Sequence, residues 1–242
     1  MGFACGTITA CYATGTVHGS SVVGGLMGVN WYDGNVTRCY TTDAVSGDNY
    51  IGGLTGFNCG TIMTCYATGT VDGEQGTGGL LGWNYGDIGQ CYATGTVSAE
   101  QEVGGLVGWN DGTITACFWD VQASGQATSS GGEGKTTAEM QTLSTFISAG
   151  WDFVGEPQNG TDDTWRMCVD GLNSPRVWWE FAVADIACPN GISLTDFSVL
   201  AINWLRDNTD PLWYNNADIN ADGSIGIPDL LLMCESWLTG TE

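Results

Sequence analysis

Cys-Tyr-Ala-Thr-Gly-Thr-Val occupies residues 11–17 and returns unchanged at 65–71 and 91–97, with the variant Cys-Tyr-Thr-Thr-Asp-Ala-Val at 39–45. A second segment, Gly-Gly-Leu-x-Gly-x-Asn, recurs in step with it at 24–30, 52–58, 78–84 and 104–110. The cysteines at 11, 39, 65, 91 and 117 are 28, 26, 26 and 26 residues apart. Self-similarity at a fixed period of this size predicts stacked structural repeats, that is, a solenoid.

The repeat carries columns of apolar residues that suit β-strands. Side-chain alternation puts Cys11, Ala13 and Val17 on one face, and we expect these small residues inside. Two more inward columns are predicted, at Leu26, Leu54, Leu80 and Leu106 and at Ile8, Val36, Ile62, Ile88 and Ile114. Frequent glycine, many β-branched residues and the lack of a 3.6-residue period exclude helices here. The chain is therefore predicted to be mainly β, a right-handed parallel β-helix whose equivalent residues stack about 4.8 Å apart.

Two further columns are polar or aromatic. Asparagines recur where strands turn, at Asn30, Asn58, Asn84 and Asn110. Asparagine tolerates the left-handed conformation, and stacked asparagines can hydrogen-bond along a solenoid, so we interpret this column as structural. Tyr12, Tyr40, Tyr66, Tyr92 and then Phe118 are predicted to face outward, either as a surface ladder or as a platform for sugar rings. The longer 28-residue spacing comes from extra residues at 31–33, which we expect in a surface corner.

Glycine-rich repeats of the form Gly-Gly-Leu-x-Gly with a following Asn resemble the GLUG repeat of bacterial surface and secreted proteins over roughly residues 2–120. The region from Phe118 to Arg176 resembles the segment that commonly follows such arrays. The resemblance implies adhesion or display at an extracellular or cell-surface location. Residues 2–8 align with 56–62, the middle of a later repeat. We therefore expect more coils upstream, together with the export signal that the first residues lack.

Composition and charge limit the classes of binding partner and indicate the state of the cysteines. The net charge of −22 argues against nucleic acid and anionic membranes, and no apolar run is long enough to span a bilayer. Five of the ten cysteines lie in one inward column. In-register parallel strands point such side chains the same way, so free buried thiols are predicted there. A Cys168–Cys188 bond is one option for the remaining cysteines.

Residues 121–181 change in character and are predicted to form an aromatic C-terminal cap on the solenoid. Thr136 and Glu139 have the spacing of a capping box that opens a helix through about Ser148. Aromatic stretches at 151–153, 165–168 and 176–181 are predicted to be short strands. A tryptophan platform for carbohydrate is the alternative to a purely structural cap.

Residues 218–229, Asp-Ile-Asn-Ala-Asp-Gly-Ser-Ile-Gly-Ile-Pro-Asp, match the pattern of a calcium loop. Ca²⁺ requires oxygen ligands at loop positions 1, 3, 5 and 12, a backbone carbonyl at 7 and glycine at 6. The predicted ligands are Asp218, Asn220, Asp222, Ser224 through its carbonyl, and Asp229. An earlier copy begins at Asp185 and ends at Asp196, with Ala187 and Pro189 at positions 3 and 5. Those two side chains offer no oxygen, so this loop is predicted to bind calcium weakly or not at all.

Two loop–helix units in tandem resemble a type I dockerin, a small all-α calcium module, over residues 183–240. The resemblance implies two Ca²⁺ sites and docking onto a cohesin-like or other cell-surface protein. The implied docking positions 10 and 11 hold Leu194, Thr195, Ile227 and Pro228, which depart from the family's Ser-Thr-like pair. The predicted domains are thus residues 1–120, 121–181 and 182–242.

A non-catalytic adhesion or structural protein is the leading hypothesis, with glycans as further candidate partners. The alternative is a fragment of a larger carbohydrate-binding or polysaccharide-degrading protein. A polysaccharide lyase of β-helix type needs a basic residue beside acidic groups on the solenoid face. The solenoid offers Arg38 and little else, and His18 is the single histidine. We therefore predict no enzymatic activity.

Overall fold

The computed structural model describes residues 2–155, 158–181, 194–207, 209 and 217–239. Contacts divide the chain into two units, residues 1–150 and 151–242. Within the described residues, none of the helices is both long and apolar enough to cross a membrane.

The first unit is a parallel β-solenoid of about four turns, as the sequence period predicts. Each coil adds one strand to each of five parallel sheets, named A to E in the order in which the chain visits them. With strands numbered along the chain, sheet A holds β1 (Phe3–Ala4), β6 (Met27–Asn30), β11 (Thr55–Asn58), β16 (Leu81–Asn84) and β21 (Val107–Asn110). Sheet B holds β2 (Thr7–Thr9), β7 (Asn35–Thr37), β12 (Thr61–Met63), β17 (Asp87–Gly89) and β22 (Thr113–Thr115).

The other three sheets follow the same order. Sheet C holds β3 (Tyr12–Ala13), β8 (Tyr40–Thr41), β13 (Tyr66–Ala67), β18 (Tyr92–Ala93), β23 (Phe118–Asp120) and β24 (Glu133–Lys135). Sheet D holds β4 (Thr16–His18), β9 (Ala44–Ser46), β14 (Val71–Asp72) and β19 (Val97–Ser98). Sheet E holds β5 (Ser21–Gly24), β10 (Asn49–Gly52), β15 (Gln75–Gly78) and β20 (Gln101–Gly104).

Strand pairing repeats the sequence period without slippage. Ile62 pairs with Val36 on one side and Ile88 on the other, and Tyr66 pairs with Tyr40 and Tyr92. The predicted leucine and isoleucine columns lie in one buried cluster with the cysteines Cys39, Cys65, Cys91 and Cys117. These four cysteines are free, as predicted. Cys11 is also free but exposed, which corrects its predicted place inside. It directly precedes β3, the end strand of sheet C, so no earlier coil covers it.

The glycines of the Gly-Gly-Leu-x-Gly segment are required by close backbone packing. A Cβ at Gly53 would collide with the carbonyl oxygen of Gly79 in the next coil. A Cβ at Gly56 would lie 2.5 Å from the carbonyl carbon of Val22. Sheet A therefore packs against the backbone of sheet E with no room for side chains between them, which explains why the motif keeps glycine at these places.

The asparagine column forms a continuous hydrogen-bonded ladder, as predicted. Asn30 donates to Asn58, Asn58 to Asn84, and Asn84 to Asn110. Each hydrogen bond joins Nδ2 to Oδ1 at a distance of 2.8 Å. The asparagines of this column do not adopt the left-handed conformation that was expected of them. The residue before each column cysteine and the second residue of each sheet E strand adopt it instead. Those residues are Ala10, Arg38, Thr64, Gln90 and Ala116, and Val22, Tyr50, Gly76 and Glu102.

Residues after the last full coil cover the tyrosine column. After β23 come α1 (Val121–Ser124), the added strand β24, α2 (Thr137–Met140) and α3 (Leu143–Ile147). The predicted capping box between Thr136 and Glu139 is present, but the helix ends at Met140 and α3 starts separately. Phe146 of α3 contacts the edges of Tyr92 and Phe118.

The tyrosine rings stack on one another at 5.0–5.2 Å, as a ladder should. Tyr66 and Tyr92 are nevertheless buried. The column faces away from the solenoid core but is largely covered, so the interpretation of these residues as a platform for sugars is wrong for Tyr66, Tyr92 and Phe118.

The described part of the second unit contains a buried pair of tryptophans. Trp151 stacks on Trp165 with ring centres 4.5 Å apart. The predicted aromatic strands are shorter than expected: β25 (Trp165–Arg166) pairs antiparallel with β26 (Arg176–Val177), and a 3-10 turn follows at Trp178–Glu180. Cys168 is disulfide-bonded, and its predicted partner Cys188 lies outside the described residues.

Two helices follow in the described residues of the second unit, α4 (Leu194–Ile202) and α5 (Ile227–Thr239). Leu200, Ala217, Ile225 and Met233 form a buried cluster that joins both helices to the segment between them. Backbone hydrogen bonds between Ile225 and residues 205–206 tie the 218–229 loop to the chain that follows α4.

Candidate functional site

The loop at residues 218–229 makes the sharp turn that the calcium pattern requires. Gly223, at position 6, has φ +86, and Ala221, at position 4, has φ +56. Backbone in this region of conformational space strongly favours glycine, so the glycine at position 6 is used as the pattern predicts. Helix α5 begins at position 10, directly after the turn.

The last carboxylate of the pattern folds back across the loop. Asp229 is fully buried, and its Oδ1 accepts hydrogen bonds from the backbone N–H groups of Ile219 (2.7 Å) and Asn220 (3.2 Å). Its Oδ2 accepts from the N–H of Gly226 (2.7 Å). The Asp229 side chain thereby joins the two ends of the loop.

The first three predicted ligands lie close together at the exposed end of the loop. Asp218 accepts hydrogen bonds from the N–H groups of Asp222 (3.1 Å) and Gly223 (2.9 Å). Asp222 accepts from the Ser224 hydroxyl (2.6 Å) and from Asn220 Nδ2 (2.8 Å). These hydrogen bonds, that of Ser224 foremost, lower the pKa of Asp222.

The donor set fits a hard divalent cation, because the predicted ligands offer only carboxylate, amide and carbonyl oxygens. Across the residues that the structure describes, no three acidic, cysteine or histidine side chains converge closely enough to hold a metal ion. In this arrangement the carboxylates bond to backbone N–H groups of their own loop. Binding of a cation would require Asp218, Asn220 and Asp222 to turn their oxygens toward one point.

Residues of the earlier loop are only partly described. Asp185 lies outside the described residues, whereas Asp196 is buried in the first turn of α4. Leu194 and Thr195 begin α4, and Ile227 and Pro228 begin α5. Ile227 is 65 % exposed and Pro228 is also exposed, so these two predicted docking residues are accessible at the start of their helix.

Asp43 is a buried carboxylate that was not predicted from the sequence. Asp43 is 2 % exposed, and its Oδ2 has no hydrogen-bond partner among the described residues. Burial raises its pKa. A signal was present in the repeat, because the equivalent position in the other coils is glycine, at Gly15, Gly69 and Gly95.

A cleft of about 370 Å³ between the last strands of sheets A and E was not predicted from the sequence either. Its walls include Glu102 and Trp109 from two neighbouring strands and Ser130 from the segment beyond the last coil. The repeat marks the Trp109 position only as aromatic, through Phe57 and Trp83. Glu102 aligns with Tyr50 and Gly76, and Ser130 lies beyond the repeat, so the cleft has no signal in the motif.

Comparison with known proteins supports the repeat and no more. Residues 73–98 match a family model described as the GLUG motif. No curated protein and no solved structure matches the chain. The matched segment begins directly after β14, includes β15 to β19 and is 26 residues long, which is one complete turn of the solenoid. Over that turn the chain is similar to the GLUG motif, here folded as one coil of a parallel β-solenoid.

Proposed function

We propose that this chain is a non-catalytic extracellular repeat protein that serves in adhesion or display. In this proposal the solenoid is a stiff spacer, and residues 182–242 are a dockerin-like module that attaches it to a protein partner in the presence of calcium. One observation carries the proposal: the repeated asparagine and tyrosine side chains contact the equivalent side chains of the neighbouring coils.

Stiffness follows from those contacts. The asparagine ladder and the stacked tyrosines both run without a break through three successive coil junctions. Bending the solenoid at any junction would open buried hydrogen bonds, and leaving such polar groups unpaired costs roughly 1–3 kcal/mol each. A rod of this kind suits a spacer better than a hinge.

Support for the calcium module comes from the loop at residues 218–229. Its turn geometry and its all-oxygen donor set match the requirements of Ca²⁺. The cluster around Leu200, Ile225 and Met233 would let an ordered loop stabilise both helices together. Metal binding of this kind would couple attachment to the calcium concentration outside the cell.

Support for the extracellular location comes from charge and from redox state. A chain with a net charge of −22 is suited to a calcium-rich medium, where cations reduce its self-repulsion. Cys168 is disulfide-bonded, and disulfides persist mainly in oxidising compartments.

Calorimetric titration of the calcium-stripped chain with CaCl₂ tests the attachment module. We expect one tight site, lost in Asp222→Ala and kept in Asp87→Asn, which changes an exposed carboxylate on the solenoid. Two tight sites would show that the earlier loop also binds calcium strongly. Absence of any calcium binding would refute the module.

Docking is tested separately with the loaded chain. Immobilised protein is exposed to a panel of purified cohesin domains in calcium and again in EDTA. We expect calcium-dependent capture that is lost in Ile227→Asp, because this exposed side chain stands at one of the implied docking positions. Capture that persists in EDTA would contradict a calcium-dependent attachment.

A further inference from the structure

The cleft between the last strands of sheets A and E is built around one exposed tryptophan. Trp109 of β21 is 41 % exposed and lines the cleft together with Glu102 of β20. Thr128 and Ser130, from the segment beyond the last coil, also line the cleft. A volume of about 370 Å³ lies within the range typical of sites for small ligands.

Trp109 is exposed because a covering side chain is missing. Gly82 packs on the backbone of Tyr50, and the neighbouring Trp83 is covered by the Tyr50 ring at 5.2 Å. One coil further, Gly108 packs in the same way on Gly76, which has no side chain. The indole of Trp109 is therefore left open at the place where the previous coil closes over Trp83.

The exposed ring is held in place from behind. Trp83 lies 6.1 Å from Trp109, and Phe57 follows 5.0 Å beyond Trp83, in a row along sheet A. The Trp83 indole N–H donates to Asp111 Oδ2 at 3.0 Å, which fixes the orientation of its ring. Trp109 thus offers an aromatic face at the end of a packed row, with little freedom to lose on binding.

Polar groups of the cleft divide into those already bonded and those still available. Ser129 accepts from the N–H groups of Leu106 and Val107 and donates to the Val107 carbonyl, so its hydroxyl is saturated and only holds the wall. Within the described residues, the Thr128 hydroxyl and the Trp109 indole N–H have no hydrogen-bond partner. One Glu102 oxygen accepts only a long 3.3 Å bond from Gln75.

From this arrangement we infer that the cleft binds a neutral glycan, with one sugar ring stacked on Trp109. The C–H face of a sugar is apolar and flat enough to cover an indole, while its hydroxyl groups both donate and accept. Glu102 would accept from sugar hydroxyls, Thr128 would donate to or accept from them, and the indole N–H would donate. The site gives the spacer of the proposed function a ligand of its own, but it does not depend on calcium binding.

Charged ligands fit less well. The Glu102 carboxylate and the overall charge of −22 disfavour uronic or sulfated glycans. A quaternary ammonium ligand is usually enclosed by several aromatic faces, whereas the cleft presents one. Such a cation would also leave the free hydroxyl and indole donors without acceptors.

Isothermal titration of the whole chain with cellohexaose, xylohexaose and mannohexaose, all in EDTA, tests the inference. We expect one of these neutral oligosaccharides to bind with one site per chain. Trp109→Ala should weaken that binding by about tenfold or more, which corresponds to about 1.4 kcal/mol, because the stacking face is lost. Glu102→Gln and Thr128→Val, which keep the shape of the wall, should each weaken it by a smaller factor.

Trp31→Ala is the matched control, because Trp31 is 43 % exposed but lies in the corner at residues 31–33. It should leave binding unchanged, and circular dichroism should show the same fold in all variants. Lack of binding to every neutral oligosaccharide would overturn the inference, as would equal loss in Trp31→Ala and Trp109→Ala. Binding of polygalacturonate or choline in their place would also overturn it. Because EDTA is present throughout, none of these outcomes depends on the calcium module.

Discussion

Replacement of Asn58 by alanine removes one inner member of the asparagine ladder. Asn58 Oδ1 accepts from Asn30 Nδ2 (2.8 Å) and from the Gly60 N–H (3.2 Å). Its Nδ2 donates to Asn84 Oδ1 (2.8 Å) and to the Gly60 carbonyl (3.2 Å). The side chain is fully buried, so water cannot take its place without entering the corner of the coil.

The cost follows from these four hydrogen bonds. Each contributes a net of roughly 0.5–1.5 kcal/mol, so their loss alone amounts to about 4 kcal/mol. Asn30 Nδ2 keeps longer contacts with the carbonyls of Gly34 and Thr61, which offsets part of the loss. Asn84 Oδ1, by contrast, loses its donor. We therefore expect Asn58→Ala to lower the free energy of unfolding by about 3–4 kcal/mol.

Urea unfolding followed by tryptophan fluorescence and far-ultraviolet circular dichroism measures this loss. Asn110→Ala is the internal control, because Asn110 stands at the end of the ladder, is only partly buried and donates to no further asparagine. Asn110 makes three hydrogen bonds in a partly exposed corner, so Asn110→Ala should cost less than Asn58→Ala. Equal costs for the two variants, or a cost below about 1 kcal/mol for Asn58→Ala, would refute the ladder as a source of stability.

Three other outcomes are expected. Gly79→Ala should destabilise the solenoid by about 2 kcal/mol or more, because the new Cβ would meet the carbonyl oxygen of Gly105, whereas Gly6→Ala, with open space around it, should be neutral in urea unfolding. Asp43→Asn should raise the melting temperature at neutral pH, because burial raises the pKa of Asp43 in the folded chain and its carboxylate therefore destabilises the fold above that pKa. The difference in melting temperature between the two proteins should shrink as the pH falls toward about 4, the pKa of an aspartate in the unfolded chain. In a thiol titration of the native chain, Cys5 and Cys11 should react at once, while the column at Cys65, Cys91 and Cys117, whose pKa values burial raises, should react only after unfolding.

Much of the solenoid could be predicted because each residue contacts the equivalent residue of the next repeat. Once Ile62 and Ile88 are recognised as equivalent, their pairing, burial and spacing follow together. The asparagine ladder was predictable for the same reason. When identical side chains stack in register on neighbouring strands, the nearest side chains available for hydrogen bonds are their own equivalents.

The left-handed backbone residues and the burial of the aromatic side chains were harder to predict. The left-handed residues before each cysteine include Arg38, Thr64 and Gln90, types that carry no common signal for such a backbone. The strand ends impose this conformation, and sequence preference does not. The burial of Tyr92 depends on Phe146, which lies outside the repeat. The cleft at Trp109 likewise depends on the absence of a side chain at Gly76, a feature of one coil that the repeat pattern averages away.

The constant register of the inner coils has a consequence for how such a chain can change its length. In the inner coils each residue contacts its counterparts one period before and one period after it in the sequence. An in-frame duplication of 26 codons would therefore create only contacts of types that the molecule already has. Each duplication would extend the rod by one strand spacing, about 4.8 Å. The reach of the protein could thus be adjusted in small equal steps by recombination alone, with both ends kept as they are.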